Sequence, residues 1–98
     1  MSMPVRANSP QDGQSRLADK RRALAEAYRN LGLTEEAELQ GQRAIGIYDQ
    51  LQTRRTTEGA IALQELASYT RRRGKNQEAA KLNREALDIY REVNNNAE

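Results

Sequence analysis

The sequence predicts an all-α fold in which four antiparallel helices form two copies of one helix-turn-helix unit, arranged as a short α-solenoid. Residues 85–90, Glu-Ala-Leu-Asp-Ile-Tyr, echo residues 43–48, Arg-Ala-Ile-Gly-Ile-Tyr, at an offset of 42 residues. The same offset pairs Gly32 with Gly74. A period of about 20–50 residues indicates a repeat architecture. Apolar residues also recur at spacings of three, four and seven in four segments, which is the period of a helix.

The first unit is predicted over residues 15–52, with helices over 15–31 and 34–52. Before it, residues 1–14 hold both prolines and show no periodicity. We expect this leader to be disordered, because it has too little apolar surface to bury.

A connector is predicted at residues 53–56, since Thr-Arg-Arg-Thr has no apolar member. The second unit follows over 57–93, with helices over 57–73 and 76–93, and residues 94–98 are predicted to fray. Turns as short as those inside each unit force the paired helices to run antiparallel.

Helix ends are predicted from residue types that satisfy free backbone groups. Gly32 and Gly74 stand where a helix ends, because glycine adopts the left-handed conformation at low cost. Side chains that accept hydrogen bonds from free N–H groups are predicted to cap the helix starts. These are Ser15, Thr34, Thr56 or Thr57, and Asn76.

Composition argues against catalysis and against metal binding. The chain has 98 residues, which allows one small domain, and it contains neither His nor Cys. Those absences remove the commonest general base and the usual zinc ligands. We also find no Gly-rich phosphate loop and no nucleophile with a base, and we expect no enzyme, cofactor or metal site. No apolar run approaches the roughly 20 residues of a membrane span. No secretory signal is evident, and we expect a cytoplasmic protein without a membrane partner.

Both units carry a set of small and large residues at matching positions. The first helices contain Leu24-Ala25-x-x-Tyr28 and Leu66-Ala67-x-x-Thr70, and the second helices contain Ala37 with Ala44-Ile45 and Ala79 with Ala86-Leu87. This pattern resembles the tetratricopeptide repeat over roughly residues 17–93. The resemblance implies that the small residues let the two helices of a hairpin touch.

The resemblance has departures. The common period of the family is about 34 residues, whereas the longer period here is similar to that of kinesin light chain and of many bacterial repeat proteins. Gly41 and Asn83 stand where the family has an aromatic residue, and Arg21 stands where it has a large apolar one. We expect these substitutions to weaken the packing of the first unit.

Repeat proteins of this kind bind partners on a concave surface lined by the first helix of each repeat. The resemblance therefore implies a non-catalytic adaptor or scaffold that binds a peptide or helix of another protein. Helical spacing places polar residues on this face, with Asp19 and Ile61 beside them. The predicted partner-binding residues are Arg22, Glu26, Arg29, Asn30, Gln64, Ser68, Arg71 and Arg72.

The four arginines in this set favour a partner of acidic character, because guanidinium groups fork onto carboxylates. Glu26 stands where the family's carboxylate clamp has an asparagine. We therefore do not expect recognition of a C-terminal carboxylate. The alternative is that these residues only solvate a helix face.

A second surface is predicted at the open end of the last helix. Leu82, Ile89 and Val93 would leave an apolar edge there, with Ile89 pointing away from the hairpin. Two repeats are fewer than the ~3 that a stable array needs. The sequence therefore predicts a homo-oligomer, or a structural module whose role is to continue a stack.

A nucleic acid is a third possible partner. Basic clusters occur at residues 20–22, 54–55 and 71–75. Only Tyr69 lies near such a run to stack on bases. The net charge of +2 is also small. RNA binding is disfavoured, since cations near helix C-termini are explained by the helix dipole.

Overall fold

The computed structural model describes residues 10–96 of the chain. Within them the predicted all-α fold is confirmed, with four helices in chain order. They are α1 (Pro10–Asn30), α2 (Thr34–Gln50), α3 (Thr57–Arg72) and α4 (Asn76–Asn96). α1 packs on α2, α3 packs on α4, and α2 packs on α3. Two helical hairpins therefore stack side by side through α2 and α3.

Both outer helices are longer than the sequence predicted. α1 begins at Pro10, so that Ser15 lies within the helix and is no cap. Proline suits a first helical turn because its fixed φ matches the helix and its missing N–H has no partner there. α4 continues to Asn96 instead of ending at residue 93. The remaining parts of the predicted leader and tail, residues 1–9 and 97–98, lie outside the described residues.

Each hairpin turns at its predicted glycine. Gly32 and Gly74 both have a φ of 82°. The N–H of Gly32 donates to the carbonyl oxygen of Arg29, and that of Leu33 donates to Tyr28, each at 2.9 Å. This pair of bonds is a Schellman motif, which satisfies the last carbonyls of α1. The turn at Gly74 has the same two bonds, so the 42-residue offset is repeated in backbone geometry.

The end of α2 has the same motif without a glycine. Gln52 has a φ of 59°, and the N–H of Thr53 donates to the carbonyl of Tyr48 at 2.8 Å. A side chain in this left-handed conformation costs about 1–2 kcal/mol.

Replacing Gln52 with glycine should therefore raise the free energy of unfolding, by about 0.5–1 kcal/mol after the greater freedom of glycine in the unfolded chain is subtracted. Urea unfolding of Gln52→Gly beside the wild type measures the change. The reciprocal variant Gly74→Gln should be destabilised by a similar amount. A lower stability of Gln52→Gly would contradict the interpretation.

Helix starts follow the prediction at Thr56 and depart from it at Thr34 and at Asn76, which is the first residue of α4 and not its cap. Thr56 caps α3, and its hydroxyl accepts a hydrogen bond from the N–H of Gly59 at 3.1 Å. Thr34 is the first residue of α2 and not its cap. Leu33 takes the N-cap position there, and its hydrocarbon side chain has no atom that could accept a hydrogen bond.

The core is built from small residues at equivalent positions of the two hairpins. Four pairs of alanines, 42 residues apart, are buried in both copies, and at these positions the helices approach closely. The pairs are Ala18 and Ala60, Ala25 and Ala67, Ala37 and Ala79, and Ala44 and Ala86. Larger side chains fill the space between α2, α3 and α4. They are chiefly Ile45, Ile47, Tyr48, Leu63, Leu66 and Ile89.

Gly41 does not weaken the first hairpin as the sequence suggested. It is buried, and a Cβ there would lie 3.1 Å from Leu66 Cδ1 and 3.5 Å from Tyr69 Cδ2. The side chains of α3 thus fill the space that an aromatic residue on α2 would occupy. Gly41 lets α3 pack closely on α2.

One carboxylate is buried where α2 meets the end of α3. Glu38 is 2% exposed and accepts hydrogen bonds from Thr70 Oγ1 at 3.1 Å and from an Arg73 guanidinium nitrogen at 2.7 Å. Lys75 Nζ lies 3.4 Å from it. Burial by itself raises the pKa of the Glu38 carboxyl, but these donors outweigh it, and the pKa lies below its ordinary value.

Glu38→Gln should lower the free energy of unfolding at neutral pH by about 1–2 kcal/mol, because charge-assisted hydrogen bonds are weakened. A depressed pKa in the folded state gives stability that is present above the unfolded-state pKa and lost as pH falls through the folded-state pKa. The difference between the wild type and Glu38→Gln should therefore shrink in acid. Urea unfolding at a series of pH values tests this, and a difference independent of pH would contradict it.

Candidate peptide-binding groove

A groove runs between α1 and α3, the first helices of the two hairpins. Its volume is about 350 Å³. Seven residues line it: Glu26 and Arg29 from α1, and Ile61, Gln64, Glu65, Ser68 and Tyr69 from α3. On each helix these residues recur at spacings of three and four, which place them on one helical face.

One end of the groove is closed by an ion pair between its walls. Arg22 Nε donates to Glu65 Oε1 at 2.9 Å, and Arg22 Nη2 donates to Glu65 Oε2 at 3.1 Å. This two-pronged bond to Glu65 is the main reason why the pKa of Arg22 lies above its ordinary value. It fixes the distance between α1 and α3, and it commits the guanidinium group of Arg22.

The α3 wall is held in turn from α4. Tyr90 Oη donates to Gln64 Oε1 at 2.8 Å. In the first hairpin the equivalent residues are Tyr48 and Arg22. Arg22 bonds to Glu65, and the nearby hydroxyl of Tyr48, which is buried, also contributes to the raised pKa of Arg22. Tyr69 is 3% exposed, and burial, followed by the charge of Glu65, raises the pKa of its hydroxyl.

The structure brings half of the predicted partner-binding residues into this groove. Glu26, Arg29, Gln64 and Ser68 line it. Of the other four, Arg22 is engaged by Glu65, while the remaining three are exposed and lie outside the lining. Those three are Asn30, Arg71 and Arg72.

Two lining residues, Glu65 and Tyr69, were not predicted. Helical spacing from Ile61 and Ser68 would have suggested Glu65, since position 65 falls between them on the same face. Tyr69 lies one helical turn after Glu65, and its ring also packs over Gly41 on the neighbouring α2.

The basic clusters are largely paired with carboxylates. Arg54 donates two hydrogen bonds to Glu85, at 2.6 and 2.9 Å, and Arg55 donates two to Glu92, at 3.0 and 2.6 Å. The bonds from Arg54 are the main reason why the pKa of Glu85 is lowered. These bonds tie the connector between the hairpins to α4. They leave these cations little charge to offer to a phosphate backbone.

The predicted apolar edge is wrong at its central residue. Ile89 is fully buried in the core instead of pointing outward, and Leu82 and Val93 are half-buried against the same core. Residues 79, 82, 86, 89 and 93 form the buried stripe of α4, with alternating spacings of three and four. Leu87 lies off this stripe and is 46% exposed.

Two helical hairpins stack here with a groove between their first helices. This arrangement is that of a short helical-repeat protein. The family model described as tetratricopeptide repeat matches residues 60–97. The second hairpin thus matches the tetratricopeptide repeat, and the resemblance is confirmed over residues 60–97. The match does not distinguish the long-period type, which stays a prediction. Comparisons with curated proteins and with solved structures found no significant match.

Tetratricopeptide repeats generally mediate contacts between proteins, and the family is typically non-catalytic. Among the described residues, no helix is both long enough and apolar enough to span a membrane.

Proposed function

We propose that this chain is a non-catalytic interaction module that binds a short peptide or helix of another protein in the groove between α1 and α3. The observation that carries the proposal is the groove itself, with an apolar residue, Ile61, in a mainly polar lining. A pre-formed groove loses little ordering entropy on binding, because its walls are held by the Arg22–Glu65 and Tyr90–Gln64 bonds.

The chemistry of the lining suggests what part of a partner would fit. Arg29 is the cation of the groove lining, and within the described residues no carboxylate is bonded to it. It would pair with an acidic side chain of the partner. Ile61 offers apolar contact, and Gln64 and Ser68 offer hydrogen bonds. The acidic partner predicted from the sequence therefore depends on Arg29 in the groove. Arg71 and Arg72 lie outside its lining. The cytoplasmic location stays a prediction.

Selection of peptides from a random library against the wild-type chain tests the proposal. The selected peptides should carry Asp or Glu near an apolar residue. Their affinity should fall at least tenfold, a loss of about 1.4 kcal/mol, for Arg29→Glu. Ser68→Tyr, which fills the groove from the α3 wall without adding charge, should have a similar effect.

Arg84→Glu is the matched control, since Arg84 is exposed on α4 and does not line the groove. It makes the same charge change and should leave affinity unchanged. Equal affinity of all three variants for the selected peptides would place binding elsewhere and contradict the proposal.

A further inference from the structure

Within the described residues, the contact between α2 and α3 has an unpartnered counterpart on each of the outer helices, α1 and α4. On α2, this contact uses Glu38, Gly41 and Ile45, which are all buried. Their equivalents 42 residues later, on α4, are Ala80, Asn83 and Leu87. All three are exposed. α4 thus presents the surface with which α2 receives a helix, and no helix lies on it within the described residues.

α1 presents the complementary half. On α3, the side that packs on α2 includes Leu66, Thr70 and Arg73, and Leu66 is 6% exposed. Their equivalents on α1 are Leu24, Tyr28 and Leu31. Leu24 is 39% exposed and Leu31 is 74% exposed. These two surfaces, the α4 face (Ala80, Asn83, Leu87) and the α1 face (Leu24, Tyr28, Leu31), are the two halves of one repeat contact.

The two faces differ from the internal contact in a correlated way. Inside the chain, the carboxylate of Glu38 is surrounded by Thr70, Arg73 and Lys75. At the ends, the acidic position is Ala80, and the positions of Arg73 and Lys75 are Leu31 and Leu33. The third donor position, that of Thr70, is Tyr28, which keeps a hydroxyl group. The buried carboxylate and the two cations that pair with it inside the chain are thus all replaced by apolar residues at the ends.

The sizes of the side chains on the two faces also change together. Inside the chain, Tyr69 and Leu66 pack over Gly41. At the ends, the equivalent of Gly41 is the larger Asn83, and the equivalent of Tyr69 is the smaller Ala27. The gain of volume on one face is thus matched by a loss on the other. Lys20, the equivalent of Ala62, is the exception, and its long stem would let its ammonium group reach water at the rim.

We propose that copies of this chain associate head to tail, with α1 of one copy lying on α4 of the next as α3 lies on α2. Such a contact joins two different surfaces and therefore continues into a filament or closes into a ring. Because Ser68 and Arg71 are the equivalents of Glu26 and Arg29, they would form one wall of a further groove against α1 of the next copy. This inference is independent of the peptide groove within one copy.

Sedimentation of the full chain over a wide range of concentrations tests this assembly. The average mass should rise with concentration past that of a dimer. Leu31→Glu disables the α1 face and Leu87→Glu disables the α4 face, and each variant alone should remain a monomer. Both positions are exposed, so helicity by circular dichroism should be unchanged.

An equal mixture of Leu31→Glu and Leu87→Glu should form a dimer and nothing larger, since each variant keeps the face that the other lacks. Leu39→Glu is the control, because Leu39 is a 44% exposed leucine of α2 outside both faces, and it should assemble like the wild type. A wild type that stays monomeric would overturn the proposal. So would a mixture that stays monomeric, or loss of assembly in only one of the two variants.

Discussion

Ile89→Ala should lower the free energy of unfolding by about 2–4 kcal/mol, because it removes a fully buried aliphatic side chain and leaves a cavity. Ile89 has the largest buried aliphatic side chain on α4, and it lies in the same core cluster as Leu63 and Ile45. Urea unfolding of dilute protein, followed by helicity, measures the change.

Leu87→Ala is the matched control. It removes a similar volume two residues away, but Leu87 is 46% exposed and lies off the buried stripe of α4. Its cost should stay below about 1 kcal/mol, as for most surface positions. Equal losses in the two variants, or a larger loss for Leu87→Ala, would contradict the orientation of α4.

Gly59→Ala should destabilise the fold by about 1–3 kcal/mol, although alanine is the better helix former. Gly59 is buried in the first turn of α3, and a Cβ there would overlap the carbonyl oxygen of Arg54 and lie 2.6 Å from its carbonyl carbon. The connector has little freedom to move away, because Arg54 is held by Glu85.

Gly46→Ala tests the sign of this effect. Gly46 is exposed within α2, and a Cβ there would meet nothing within 4 Å. This variant should therefore gain about 0.5–1 kcal/mol from helix propensity. Thermal unfolding of the two variants gives shifts of opposite direction if the close approach at Gly59 is real. A stabilised Gly59→Ala would disprove it.

The repeat could be predicted because its signals are local and occur twice. Each turn needs one residue with a positive φ, and glycine at positions 32 and 74 supplies it. Each hairpin contact needs a small residue, and paired alanines mark those positions. Such features depend only on the backbone of one hairpin. A single sequence in which they recur 42 residues apart is therefore enough to predict the repeat.

The orientation of α4 was not predictable to the same degree. Residues 86, 87, 89 and 90 are all apolar, and helical periodicity allows either Leu87 or Ile89 to face the hairpin. Tertiary packing decides for Ile89, as it does for the equivalent Ile47, which is 8% exposed. The internal echo held this information, since both isoleucines occupy one position of the repeat.

The groove could be predicted in part, for a related reason. Helical spacing placed Glu26, Arg29, Gln64 and Ser68 on inner faces. The role of Arg22 depends instead on a bond to Glu65 across two helices. Long-range ion pairs of this kind have no local signature, and the sequence therefore assigns Arg22 to partner binding instead.

The central claim is that a partner binds between α1 and α3. Amide chemical shifts of the labelled chain, measured by NMR while a selected peptide is added, test it most directly. If the peptide binds there, the largest shifts fall on the groove residues Glu26, Arg29, Ile61, Gln64 and Ser68. Shifts confined to the opposite side of the α1–α2 hairpin, around Leu17 and Ile47, would contradict it.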